Sequence, residues 1–234
     1  MRIIVLTDSL GRARPDLKKD TTQYEDVYFS LLRDKFRLQD NLELILLTFE
    51  GIDTNLAIEQ SKKSVAFRNP DIVIYHLGAN DCSPRIFKRG SNPVIYRKWF
   101  SKITGNIFSK LITRYRRRIT KFRKLVYVKP ENFIENIHKM KVEVSKYSPD
   151  AVFFHVSIAE SFDWMNNRSY GHLDNVRKYN QILKNEYGSN FIDINDLVPK
   201  VEDRLINDGV HFTKHTHQIL AEKLYQDLSN LLKS

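Results

Sequence analysis

The chain has a single cysteine, Cys82, among its 234 residues. No internal disulfide can form, which excludes the small disulfide-built scaffolds of secreted proteins and points to a reducing compartment. Long apolar runs are missing too. The N-terminal stretch M-R-I-I-V-L-T-D-S-L meets an aspartate after a short apolar run, too soon for the hydrophobic region of a signal peptide or a bilayer span. It reads as a first strand, and the protein as cytosolic. No internal repeat, Gly/Ser linker or low-complexity tract breaks the sequence. With 41% hydrophobic residues, one core in a single domain over 1–234 is expected.

Acid is absent from one long segment. Between Cys82 and Pro130 there are 15 Lys or Arg and no Asp or Glu. The rest of the chain therefore holds 23 basic against 28 acidic residues, a balance of −5. The net charge of +10 belongs to this segment rather than to the fold, and no nucleic-acid motif accompanies it.

What is present alternates. Apolar, β-branched runs at 2–6, 42–48, 71–77, 151–158 and 190–194 suit buried strands. Helical spacing fills 24–36, 54–67, 133–147, 175–187 and 213–232. Alternating strands and helices imply a mostly parallel sheet of about five strands, covered on both faces. Ligand sites in such sheets gather beyond the carboxyl ends of the strands. There the sequence places T-D-S-L-G with Ser9, T-F-E-G-I-D with Gly51, H-L-G-A-N-D with Gly78 and Asn80, and N-D-G-V-H with Asp208 and His211.

A serine hydroxyl needs a base to take its proton and a partner to orient that base. Histidine titrates near neutrality, and an aspartate three residues earlier can hold its tautomer within one turn. Ser9, His211 and Asp208 fill these roles. The amides of Ser9 and Gly51 with the Asn80 side chain suit an oxyanion hole.

In order and approximate spacing these four blocks resemble those of the GDSL/SGNH hydrolases, a family named for a Ser, a Gly, an Asn and a His. The resemblance implies a three-layer α/β/α sandwich of flavodoxin-like shape. It also implies cleavage or transfer of acyl groups on carbohydrates, small esters or lipids; no cofactor or metal is expected. Carried over, it makes Ser9 the nucleophile, Gly51 and Asn80 oxyanion-hole residues, and Asp208 and His211 the activating pair. Thr7 stands where the first block usually has glycine, and Lys214-His215 where many relatives have glycine after the histidine.

Blander readings compete. Ser9 suits a helix N-cap, and the glycines and Asn80 suit turns. Asp81 suits a brace for its loop. Asp208, His211 and His215 could form part of a metal site, but that needs a further ligand and His217 lies off their face. Asp8, Trp164 and Arg168 are expected to touch substrate, the last two on the loop 159–171 that follows the fourth strand. The basic segment reads as an inserted amphipathic helix at about 84–130. Its apolar stripe is Trp99, Ile103, Ile107, Leu111, Tyr115, Ile119 and Phe122. One reading packs it on the domain as a lid or oligomer contact. In the other, 96–125 lies on an anionic membrane surface with Trp99, Phe100, Phe108 and Ile112 inserted, which would make the protein peripheral.

Overall fold

The structure is a computed structural model that describes residues 1–14, 21–39, 41–91 and 107–232. Five parallel strands, β1 (Arg2–Thr7), β2 (Glu43–Thr48), β3 (Ile72–His76), β4 (Val152–Val156) and β5 (Phe191–Ile192), lie in the order β2-β1-β3-β4-β5. Around them are α1 (Tyr28–Lys35), α2 (Thr54–Gln60), the short α3 (Ala79–Cys82), α4 (Ile107–Arg123) and α5 (Pro130–Ser145). Beyond β4 come α6 (Asp163–Arg168), α7 (His172–Tyr187), the one-turn α8 (Ile194–Leu197) and α9 (Val201–Arg204), and α10 (Lys214–Leu231).

Strand periodicity divides the core in two. Ile3 and Val5 of β1, with Ile72 and Ile74 of β3, pack beneath α1 and α10; Ile4, Leu6, Val73 and Tyr75 face α2, α5 and α7. Successive side chains leave a strand on opposite faces, so one apolar run serves both layers. Helix ends are set locally. Asp53 caps α2 by accepting the Leu56 N–H at 3.2 Å, Pro130 occupies the first turn of α5, and Thr213 caps α10 by accepting the Thr216 N–H at 3.2 Å.

Two expectations change. The fifth strand shrinks to Phe191–Ile192, because this edge strand pairs only with His155 and Val156 before Asp193 caps α8. In the reading that packs the helix on the domain, the stripe would be buried; apart from Ile119 its described residues face outward, with Ile107, Leu111, Tyr115 and Phe122 exposed, Phe122 by 90%. The inner face instead carries Ile112, Arg116, Ile119 and the buried Thr120, which accepts the Tyr170 N–H at 3.0 Å. Polar anchors, rather than the apolar stripe, dock this helix. Trp99, Phe100 and Ile103 lie outside the described residues.

Buried titratable groups make stability depend on pH. Burial holds His76, His155 and His217 down at about 3, and burial plus the nearby Arg85 and Arg116 holds His172 at about 4. These histidines stabilise the fold above their ordinary pKa near 6.5 and lose that contribution as pH falls below it, since only the unfolded chain takes the protons. Asp8 and Asp81, pushed up by burial to about 6 and about 7, act in the opposite sense over pH 4–7. Four histidines outweigh two aspartates. Acidification from pH 6 to pH 5 is expected to cost on the order of 2 kcal/mol. Urea midpoints at the two pH values test this, and an unchanged midpoint contradicts it.

Candidate active site

The sheet order reverses between β1 and β3, the place where open α/β sheets bind ligands. Thr7 pairs with Thr48 on one side and His76 on the other. Ser9, Gly51 and Asn80, each a few residues past that row, therefore share one edge.

Asp8, rather than Ser9, caps the 3-10 turn Ser9–Gly11, accepting the Leu10 N–H at 2.9 Å. This leaves the Ser9 hydroxyl for other work. Thr7 is accommodated by Gly11, where a Cβ would lie 2.3 Å from Thr7 Cγ2. Across the edge, Gly78 turns the chain from β3 into α3 with φ +112°, and a Cβ there would strike Ile158 Cδ1 at 2.7 Å. A glycine is required at that turn, and it places Asn80 on the first turn of α3.

The N-D-G-V-H loop is pinned at both ends. The Ile206 N–H donates to the His211 carbonyl at 2.9 Å, the Thr213 N–H donates to the Arg204 carbonyl at 3.1 Å, and Phe212 is buried as a plug. Asp208 Oδ1 accepts the N–H groups of Val210 and His211 at 2.8 and 3.0 Å, and its Oδ2 lies 2.5 Å from His211 Nδ1. His211 Nε2 is 3.2 Å from Ser9 Oγ. Burial tends to raise the Asp208 carboxyl, but hydrogen bonds from the His211 ring and from the two amides outweigh it and hold the group below the ordinary range. A carboxylate, an imidazole and a hydroxyl thus stand in line, with the proton of Nδ1 directed at Asp208.

Asn80 is held in one orientation. Its Nδ2 donates to Asp8 Oδ2 at 3.1 Å, while Arg85 Nη2 donates to its Oδ1 at 3.1 Å. Because an arginine can only donate, Oδ1 must face Arg85 and Nδ2 must face Ser9's neighbour. The second hydrogen of Nδ2 remains for a ligand oxygen. Asp81 braces the same loop, accepting the backbone N–H of Thr54 at 2.9 Å and its hydroxyl at 2.5 Å.

Ser9, Asp8 and Asn80 line a cavity of about 350 Å³ together with Arg85, Arg116 and Arg168. Asp8 is 1% exposed and committed to Leu10 and Asn80, so it braces the floor. Arg168 is part of that lining. Trp164 stacks on Phe162 at 6.3 Å with its ring edge against Gly209, outside that lining. Gly51 also lies outside it, its carbonyl accepting from Arg89 Nη2 at 3.0 Å. His215 is exposed, and His217 is buried, stacked on Tyr28 at 5.9 Å.

Sequence reasoning missed Arg14, Arg85, Arg116 and His172. Arg14 sets a guanidinium nitrogen against His211 Nε2, in competition with Ser9. Arg116, from inside the basic segment, donates through Nε to Ser169 Oγ at 2.7 Å and through Nη2 to the Pro84 carbonyl at 3.2 Å. For Arg85 and Arg116 the acid-free composition was the only signal, and it does not say which arginines turn inward; Arg14 and His172 lie outside that segment.

The sequence matches the family model described as GDSL-like Lipase/Acylhydrolase over residues 12–224. The match takes in Asn80, Asp208 and His211 and begins three residues after Ser9, so Ser9 is supported here by geometry. The fold is similar to that of a lipase/acylhydrolase from Enterococcus faecalis, with 17% identity, 98% of this chain and 96% of that one covered, and a TM-score of 0.64. It is also similar to Est24, a carbohydrate acetylesterase from Sinorhizobium meliloti, with 15% identity, coverage of 98% and 99%, and a TM-score of 0.62. A third similar structure is the psychrotrophic esterase EstA from Pseudoalteromonas sp., with 16% identity, coverage of 100% and 99%, and a TM-score of 0.57. No curated protein matches the sequence.

Proposed function

The chain belongs to the GDSL-like lipase/acylhydrolase family and is an ester hydrolase, and on that premise we propose that it removes short acyl groups from carbohydrate or other small esters through Ser9, His211 and Asp208. The alignment from Asp208 through His211 Nδ1 and Nε2 to Ser9 Oγ carries this reading.

Ser9 Oγ attacks the ester carbonyl as His211 Nε2 takes its proton, and Asp208 stabilises the imidazolium that forms. The Ser9 amide and Asn80 Nδ2 receive the developing oxyanion, each donor contributing roughly 3 kcal/mol. The Gly51 amide is the third donor that the resemblance implies. His211 then protonates the leaving alcohol, and water resolves the acyl-enzyme by the reverse sequence. Arg14 must yield Nε2 to Ser9 before the first step. A sugar hydroxyl in place of water would make the same residues an O-acyltransferase.

A small acyl group is favoured by a mostly apolar pocket of about 40 Å³ adjoining the site, lined by Leu10, Ile158, Val176 and Val210 with the polar Ser83 and His172. It shares Ala79, Ser83, Met165, His172 and Val210 with the Ser9 cavity. A cavity of that size holds no more than a few water-sized groups and suits a short acyl group better than a long chain. The kcat/KM for p-nitrophenyl acetate is expected to exceed that for the octanoate by roughly 100-fold, insensitive to chelator.

A second reading, a lipid esterase at an anionic membrane surface, is favoured by the outward Ile107, Phe108, Leu111 and Tyr115 of α4 among its basic residues. Among the described residues no helix is long and apolar enough to cross a membrane. A long-chain optimum that rises on adding anionic vesicles would select this reading over the first.

A further inference from the structure

Two of the three groups proposed to receive the oxyanion are each held by an arginine. Arg85, in the loop after α3, donates through Nη2 to the Asn80 carbonyl at 3.3 Å and to its side-chain oxygen at 3.1 Å. Arg89 donates through Nη2 to the Gly51 carbonyl at 3.0 Å and through Nη1 to the buried Asp53 at 2.6 Å. Asn80 follows β3 and Gly51 follows β2, strands that lie on either side of β1. Asp81 already joins the two loops by accepting the Thr54 N–H at 2.9 Å. That tie leaves Gly51 and the Asn80 side chain to be fixed separately.

One ring serves both arginines. The Arg85 guanidinium lies 4.3 Å from the centre of the Tyr127 ring and that of Arg89 lies 5.5 Å from it, both within cation–π range. Tyr127 is half-buried, and the chain is tied on both sides of it. The Leu125 carbonyl accepts the Arg85 N–H at 2.7 Å, and the Val128 carbonyl accepts the Tyr179 hydroxyl. Holding two long side chains in one rotamer each costs entropy, which a ring face of fixed position offsets. A carboxylate in its place would draw the guanidinium hydrogens away from Asn80 and Gly51. The stretch between Cys82 and Pro130, which supplies both arginines and the tyrosine, contains no acid.

We propose that Arg85, Tyr127 and Arg89 act as one clamp that positions Asn80 and Gly51 for the oxyanion, with Tyr127 coupling the two arms. Tyr127 and Arg89 are absent from the lining of the Ser9 cavity, so they are positioning residues that act through Asn80 and Gly51. The inference rests on the proposed esterase mechanism for its catalytic meaning, but the clamp itself does not require turnover.

Two measurements on the full chain separate the clamp from the mechanism. Tyr127 is the position to change, since loss of Arg89 would strand the buried Asp53 and loss of Arg85 would release Asn80 directly. Tyr127→Phe keeps the ring face, whereas Tyr127→Leu and Tyr127→Met each keep an apolar side chain without it, so a misfolding of one leaves the other. On p-nitrophenyl acetate the two non-aromatic variants are expected to lower kcat by roughly 10- to 100-fold with KM within about 2-fold, and Tyr127→Phe to recover most of that loss. Equal rates in the aromatic and non-aromatic variants, or a change confined to KM, overturn the clamp.

The second measurement is 15N relaxation of the Gly51 backbone amide and the Asn80 side-chain amide without substrate. The Gly51 order parameter is expected near 0.85 in the wild type and Tyr127→Phe and to fall toward about 0.6 in Tyr127→Leu or Tyr127→Met, with a parallel loss at Asn80. Unchanged order in the non-aromatic variants overturns the clamp. Loss of order there, in a protein whose wild type hydrolyses no ester, would instead remove the esterase reading and keep the clamp.

Discussion

Ser9→Ala is expected to lower kcat on p-nitrophenyl acetate by about 10,000-fold or more while leaving the melting temperature within a degree or so. The two halves of this expectation come from different parts of the turn. Ser9 Oγ stands 3.2 Å from His211 Nε2, so its loss removes the atom proposed to form the acyl-enzyme. The turn is capped by Asp8, whose bond to the Leu10 N–H survives the change. Steady-state turnover, together with mass spectrometry of protein quenched during turnover, checks it. Retained activity, or an acyl adduct on the alanine variant, would remove Ser9 from the reaction.

Asp208→Asn should cost on the order of 10,000-fold in kcat, again with little change in fold. The amide can keep Oδ1 on the Val210 and His211 N–H groups, which preserves the loop. Its nitrogen then faces His211 Nδ1, which must become an acceptor. The ring proton moves to Nε2, and the base that Ser9 needs is protonated on the wrong nitrogen. In the native chain the Asp208 carboxyl lies below its ordinary range and is ionised throughout neutral pH. The loss in the variant should therefore be of similar size from pH 6 to pH 9. Recovery of wild-type rates at alkaline pH would show that Asp208 does not fix the tautomer.

The four catalytic candidates were legible because each stands in a short local pattern whose geometry the backbone sets by itself. Asp208 and His211 are three residues apart in one turn, and Ser9 and Asn80 follow strands that the sequence marks by apolar runs. The polar side of the cavity was not legible. Arg85 and Arg116 are 31 positions apart with no shared motif, and only the docking of α4 on Ser169 and Tyr170 brings them together. The direction of that docking was left open between two readings, although an apolar stripe at helical spacing normally faces the protein. Here Arg116 and Thr120 take the inner face by hydrogen bonding to groups that need partners, and Phe122 is left outside.

By itself the sequence determined the alternation of strand and helix, the edge of the sheet where polar residues gather, and which residues are candidates to move a proton to and from a serine. These follow from periodicity and from side-chain chemistry, which act over a few residues. Tertiary structure decided which arginines line the cavity beside Ser9, how small the adjoining pocket is, and that Asn80 turns its nitrogen rather than its oxygen toward Asp8. Those properties depend on the packing of segments distant in the chain, because charge and volume in a cavity are sums over every wall that encloses it.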